Sequence, residues 1–220
     1  MIDVERQGAV FVLRMRSGEN RFNRSFLDAF NKALDEVEAS SGPAALVTVG
    51  EEKFYSNGLD LTWLSDDGAS QAGEFVRDFI RFFGRLMAFP VPTAAAMNGH
   101  AFAGGGMLAL AHDFRVMRTD RGFFCLPEID LRLPLAAGMT ALIKSRLSPA
   151  ALRDTILSGA RYGGAEARER GIVDEAVAAE EVLPRAIARV GALAEKDRAT
   201  LGALKRGMYA ETLAVLEKGQ

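Results

Sequence analysis

Three consecutive glycines, Gly104, Gly105 and Gly106, are the residues of this chain whose spacing points most directly to chemistry. They follow residues 90–97, a small-residue apolar run that reads as a buried strand, and the turn at Asn98-Gly99; a helical period begins beyond them. Glycines at a helix start remove every Cβ from one patch of backbone, so a ligand can approach the first free N–H groups. Fixed amide donors at the positive end of a helix dipole suit a phosphate, a carboxylate or an oxyanion. Close packing of helix on strand is the competing use of such a triplet.

A second loop, Ser56-Asn57-Gly58-Leu59-Asp60, repeats the device after an earlier strand. Gly58 supplies a free backbone angle ahead of a short helix that Asp60 is placed to cap, and an amide is again presented beside a glycine. By itself this is a capped turn; paired with the first loop it gives two amide donors. Leu126-Pro127-Glu128-Ile129 then sets one carboxylate among apolar residues, where burial raises an acid's pKa. A surface site or a helix cap is the ordinary use of a lone acid of this kind.

The elements that must position these residues alternate. Residues 8–15 read as a strand closed by the turn at 17–20, and Phe26, Ala29, Phe30, Ala33, Leu34 and Val37 recur at helical spacing. Residues 44–49 form a continuous apolar run expected of a strand covered on both faces. Val76, Phe79, Ile80, Phe83 and Met87 make a helix stripe ended by Pro90, residues 114–117 read as a strand, and residues 121–124 read as a turn and another short extended piece. Helices are expected over 139–147, 150–157 (with Ser148-Pro149 as its start), 165–170, 181–196 and 199–217, with a small strand at Ile172-Val173.

Composition limits the partners. With 220 residues, 49% of them hydrophobic, the chain can bury a full core in one large domain, with or without a small appendage. A net charge of −2 with both signs intermixed leaves no basic field for nucleic acid. Cys125 is the single cysteine, so no internal disulfide is possible, and no Cys or His cluster has metal-ligand spacing; no metal is expected, and a reducing, cytoplasmic setting fits. No apolar run is long enough to span a bilayer, and Asp3 and Glu5 stand where a signal peptide would be basic and then apolar, so no membrane is expected.

The pattern from Phe54 through Ser56-Asn57-Gly58-Leu59-Asp60 to Thr62, then Asn98-Gly99 through Ala103-Gly104-Gly105 to Met117, then Leu126-Pro127-Glu128, resembles the successive signatures of the enoyl-CoA hydratase/isomerase (crotonase) superfamily. Gly159-Ala160-Arg161-Tyr162 and residues 165–175 are similar to its later block, so the resemblance covers most of the chain in order. It implies an α/β fold, a spiral of ββα turns over residues 1–160, and a helical region at 161–220 that packs subunits into a homotrimer or a dimer of trimers. It also implies an acyl-CoA thioester substrate, with no cofactor beyond the CoA that the substrate carries. The backbone N–H groups of Leu59 and Gly104 would hold the thioester oxygen, Ser56, Asn57, Gly58 and Asp60 would line the same substrate site, and Glu128 would be the catalytic acid–base.

Family hydratases carry a second glutamate three residues after the second oxyanion glycine; here that position is Met107. Water addition asks for two groups, whereas one carboxylate can take a proton from C2 and return it to C4. The chain therefore looks most like the Δ3-Δ2-enoyl-CoA isomerase branch, with a hydratase or a non-catalytic acyl-CoA-binding relative as alternatives. Gly104 to Ala109 also fits the G-x-G-x-x-A form of a dinucleotide loop, which would make an NAD-dependent oxidoreductase, but no acidic strand end lies at the usual distance beyond it. Phosphate-loop and G-x-S-x-G hydrolase motifs are absent, which leaves His100 as a loop or packing residue. Arg21, Lys53, Lys205 and Arg206 are cations available to CoA phosphates, and sequence does not choose among them.

Overall fold

After three strands placed in one sheet, successive strands of this chain go alternately to two different sheets. A computed structural model describes residues 2–220. Strands β1 (Ile2–Gln7) and β2 (Val10–Met15) form an antiparallel hairpin, and α1 (Arg24–Ala39) crosses to β3 (Ala45–Val49), which lies parallel to β2. Strand β4 (Phe54–Ser56) starts a second sheet before α2 (Leu61–Ser65) and α3 (Ala72–Met87) return the chain to β5 (Thr93–Met97) of the first. The turn repeats as β6 (His100–Phe102), α4 (Gly104–Ala111) and β7 (Phe114–Arg118), and again as β8 (Phe124–Cys125), α5 (Glu128–Leu131), α6 (Ala137–Arg146), α7 (Pro149–Ser158), α8 (Gly164–Glu169) and β9 (Glu175–Val177). Helices α9 (Val182–Gly191), α10 (Arg198–Met208) and α11 (Ala210–Leu216) follow. The large sheet runs β1-β2-β3-β5-β7-β9 and the small one β4-β6-β8, every pairing after the first being parallel. This is the expected ββα spiral with a helical C-terminal region.

The central strands of the large sheet, β3 and β5, are buried on both faces, as their unbroken apolar runs require. Ala45, Val47, Val49, Ala94 and Ala96 pack outward against Val182, Ala186 and Val190 of α9. Leu46, Ala95 and Met97 point the other way, into the core shared with the small sheet, α1, α3 and α4. Phenylalanines dominate that core: Phe22 meets Phe79 with ring centroids 4.8 Å apart, and Phe79 meets Phe83 at 4.6 Å. Burying each such ring contributes roughly 1.5–3 kcal/mol relative to exposure, which makes α3 a firm wall for anything built on it.

Several expectations shift. The hairpin strand β1 is an addition to the expected elements: Ile2-Asp3-Val4-Glu5 alternates apolar and polar residues over only four positions before Arg6-Gln7, and its outward Asp3 and Glu5 pair across the hairpin with Arg16 and Arg14 at 2.7 Å each. Ile172 and Val173 form a bend, not a strand, because their N–H groups turn back to the Ala167 carbonyl of α8 at 2.8 and 3.2 Å; the strand begins at Glu175. The helix expected over 181–196 stops at Gly191 and continues as turns. The helix expected over 199–217 breaks at Tyr209, whose hydroxyl accepts a hydrogen bond from Arg146. Of residues 121–124 only Phe124 is in a strand, and His100 lies on β6 with its ring against Phe54, Phe102 and Phe123.

Candidate active site

The two amide loops meet. A Cβ added at Gly58 would stand 2.8 Å from the Gly104 nitrogen, and Gly58 has φ of +77°, so glycine is required there for both conformation and space. A Cβ on Gly105 would lie 2.0 Å from the Ser56 carbonyl oxygen, so the first turn of α4 rests directly on the end of β4. Ala103, just before the helix, has φ of +50° and ψ of −122°, a conformation that costs a non-glycine residue about 1–3 kcal/mol. Two bonds hold it: its N–H donates to the Cys125 carbonyl at 2.9 Å and its carbonyl accepts from Met107 N–H at 3.1 Å. The Gly104 N–H is thereby left outside both sheet and helix ladders. Among the described residues neither it nor the Leu59 N–H donates to another backbone group.

The Leu59 loop is braced from a segment that sequence reading treated only as a turn. Asn20 is fully buried with φ of +50°; its side chain donates to the Tyr55 carbonyl at 3.1 Å and its carbonyl accepts from the Ser56 hydroxyl at 2.8 Å. Asn57 N–H donates to the Glu19 carbonyl at 2.9 Å, and Asn57 Nδ2 donates to the Glu19 carboxylate at 2.8 Å. That bond, together with Arg21 at 2.6 Å, holds the Glu19 carboxyl below the usual glutamate range. Phe22 N–H donates to the Gly58 carbonyl and Asp60 N–H to the Phe22 carbonyl, at 2.7 and 2.9 Å, bracketing Leu59. The signal for this brace was Asn20 following Ser17-Gly18, a left-handed turn with a buried amide.

A cavity of about 590 Å³ opens beside these loops. Leu59, Gly104 and Glu128 line it, as do Asn57, Met107, Phe79 and Met139, with Arg21 and Arg161 also on its wall. Glu128 opens the short helix α5 and is half-buried; among the described residues its Oε2 has no hydrogen-bond partner. Burial, only partly offset by a hydrogen bond to its own backbone, pushes the Glu128 carboxyl up from its ordinary value. Asp130, more exposed, also reaches the cavity. Ser56, Gly58 and Asp60 stand behind Leu59, not on the cavity wall: the Ser56 hydroxyl is spent on Asn20, and the Asp60 carboxylate caps α2 by accepting from Trp63 N–H at 3.1 Å. Lys205 is buried far from this opening, paired with Asp113 at 2.6 Å. The site thus assembles free amide donors, an apolar enclosure and one desolvated acid. That combination stabilises a negative charge as it develops on a carbonyl oxygen while a proton moves nearby.

A two-sheet ββα spiral with glycine-flanked amides over an apolar cavity defines a protein of the crotonase fold. The chain belongs to the enoyl-CoA hydratase/isomerase family, whose profile matches residues 5–220. It is similar to enoyl-CoA delta isomerase 3 of Arabidopsis thaliana, at 33% identity over 99% of this chain and 95% of the relative. It is also similar to the peroxisomal enoyl-CoA delta isomerase 2 of the same plant, at 34% identity over 98% of this chain and 95% of the relative. Among solved structures, an enoyl-CoA hydratase from Mycobacterium ulcerans superposes with a TM-score of 0.91 at 27% identity, covering 99% of this chain and 95% of that one. Human mitochondrial delta3-delta2-enoyl-CoA isomerase shares the fold with a TM-score of 0.88 at 23% identity, over 97% of this chain and 84% of that one. No helix among the described residues is long and apolar enough to cross a membrane.

Proposed function

We propose that this chain shifts the double bond of 3-enoyl-CoA to give 2-enoyl-CoA. The thioester oxygen accepts hydrogen bonds from the Leu59 and Gly104 N–H groups. Glu128 removes a proton from C2, the electron pair delocalises into the dienolate held at that oxygen, and the same carboxylic acid returns the proton to C4. Atoms and electrons balance within the substrate, so the chemistry is redox-neutral and calls for no cofactor beyond CoA. The observation that carries the reading is Glu128 on the cavity wall, a carboxyl group with one buried oxygen, Oε2, that has no hydrogen-bond partner among the described residues to fix its charge state. Met107, apolar and buried on the same wall, supports a one-carboxylate reaction over water addition, as do the relatives named delta isomerases.

The same reading includes a homotrimer or a dimer of trimers formed through the region 161–220, supported by exposed Leu204 and Met208 on α10; light scattering giving a monomer at micromolar concentration would count against it. It also includes a reducing, cytoplasmic setting, supported by the unpaired Cys125. The decisive test of activity is a spectroscopic assay with 3-enoyl-CoA and with 2-enoyl-CoA. Isomerisation with little or no hydration is expected. Hydration of 2-enoyl-CoA at a rate comparable with isomerisation would make the chain a hydratase, and silence with both, alongside measurable binding, would make it a carrier.

A further inference from the structure

Behind the two amides runs a buried chain of polar side chains that no step above uses. His112, which ends α4, has no exposed surface; its Nδ1 lies 2.8 Å from the Leu108 carbonyl oxygen and its Nε2 3.0 Å from Thr48 Oγ1. Thr48, on β3 and equally buried, is also 2.8 Å from the hydroxyl of Tyr55 on β4. A carbonyl oxygen only accepts, so Nδ1 carries the imidazole proton and Nε2 is left as acceptor. The Thr48 hydroxyl therefore donates to Nε2, and the Tyr55 hydroxyl donates to Thr48. Burial, with the charges of Arg115, Lys205 and Arg146 nearby, lowers the His112 pKa to about 3, which keeps the neutral ring that this order of donors needs.

The two ends of the chain belong to the two amide loops. Tyr55 immediately precedes Ser56 and the Leu59 loop; Leu108 lies one turn into the helix that Gly104 begins. The near ends of these elements touch where Gly105 rests on the Ser56 carbonyl. A helix seated at its first turn can still roll about that contact unless its far end is tied; Arg146 and Arg115 tie the Leu110 and His112 carbonyls, the polar chain ties the His112 ring to both sheets, and roll left unchecked swings the first N–H relative to Leu59. We propose that Tyr55, Thr48 and His112 are positioning residues which stop that roll and fix the Gly104 amide relative to the Leu59 amide. The inference rests on those amides being the donors to the thioester oxygen. Their alignment matters because misplacement of a preorganised group by a fraction of an ångström to an ångström is enough to slow a reaction severely.

Thr48→Val keeps the side-chain shape and deletes the hydroxyl, whereas Thr48→Ser keeps the hydroxyl. For Thr48→Val, kcat on 3-enoyl-CoA should fall roughly ten- to a hundredfold while KM stays nearly constant, since the loss is felt in the transition state. Thr48→Ser should recover most of it. Tyr55→Phe should cost less, because Thr48 still donates to His112. A second readout is the infrared stretch of bound 2-enoyl-CoA carrying ¹³C at its thioester carbonyl: wild type should lower it relative to solution, and Thr48→Val should move it back. Wild-type kcat and stretch in Thr48→Val, or equal losses in the Val and Ser variants, would overturn the proposal. If Thr48→Val does not fold, Tyr55→Phe decides, and an unchanged kcat with an unchanged stretch overturns it. An unshifted carbonyl in wild type would instead overturn the assignment of the amides themselves, and this inference with it.

Discussion

The two walls of the cavity are built on opposite principles. On the amide side the side chains that brace the donors are satisfied: Asn20, Ser56, Asn57, Thr48 and His112 all have partners between 2.8 and 3.1 Å. On the acid side Glu128 sits on a four-residue helix with one carboxylate oxygen buried and, among the described residues, unpartnered. A group that must present fixed dipoles gains from being over-determined, because it then needs no reorganisation as charge develops. A group that must take a proton at C2 and give it up at C4 is hindered by any partner that fixes its charge state. Satisfaction on one wall and its lack on the other therefore fit the two proposed jobs.

Removing the acid should have the largest effect. Glu128→Gln retains shape but cannot accept a proton, so isomerisation should fall by roughly a hundred- to ten-thousandfold, the range for a lost general base. Stability should move the other way. Burial raises the folded-state pKa of Glu128, so the folded chain holds this proton more tightly than the unfolded one, and stability is lost as pH rises from the ordinary glutamate value through the folded pKa. The glutamine variant lacks that loss, so its Tm should exceed wild type at pH 8, with the gap narrowing toward pH 4. Activity within a few-fold of wild type would move the base elsewhere, with Asp130 the next acid on the cavity.

Breaking the amide wall should come second. Gly58→Ala forces a side chain into a position with φ of +77° and sets its Cβ 2.8 Å from the Gly104 nitrogen. One donor is then misdirected, and kcat should drop roughly a hundred- to a thousandfold, as for loss of one oxyanion donor. The soluble variant should still bind CoA thioesters; undiminished kcat would show that the Gly104 amide is not in the reaction.

Away from both walls, Lys205 offers the contrast between catalytic and structural polarity. Its ammonium donates to the Phe89 and Val91 carbonyls at 2.9 and 2.8 Å and pairs with Asp113, so all three donors are used. Lys205→Met leaves the Asp113 carboxylate with only its two hydrogen bonds from Thr93, at 2.8 and 3.1 Å, and leaves the Phe89 and Val91 carbonyls without their buried donor, so it should lower stability in denaturant unfolding by about 1–3 kcal/mol. The kcat of the folded fraction should stay near wild type, and a proportional loss would tie this pair to the site through His112, which directly precedes Asp113.

How much of this was legible before any coordinates depended on how local the cause was. Gly58 and Gly104 announce themselves because a positive φ or a bare backbone patch is a property of the residue type. Asp60 as the cap of α2 and Ser148 as the cap of α7 were readable for the same reason. The strands of the small sheet were not, because three-residue strands such as β4 and β6 carry no period of their own and are defined only by their parallel neighbours. Tyr209 breaks a helix through a tertiary bond to Arg146, and His112 matters through Thr48, 64 residues away in the chain. Ser56 reads as a substrate residue from its place in the loop, yet its hydroxyl points back to Asn20, a partner no spacing reveals.

The smallest effect is also the finest probe of the difference between the walls. If Glu128 is the base, kcat/KM must rise with pH as its carboxyl ionises, and desolvation places that acid limb above the ordinary glutamate value of 4.5. Met107→Glu adds a second carboxylate to the same desolvated cavity, where like charges disfavour joint ionisation, so the limb should move further up. The amide wall has no titrating group among its donors, so Gly58→Ala should lower the whole profile without displacing the limb. Measuring kcat/KM from pH 4 to 9 for wild type and both variants separates the walls in one experiment. A limb that shifts in Gly58→Ala but not in Met107→Glu would mean that the ionisation being read is not that of Glu128.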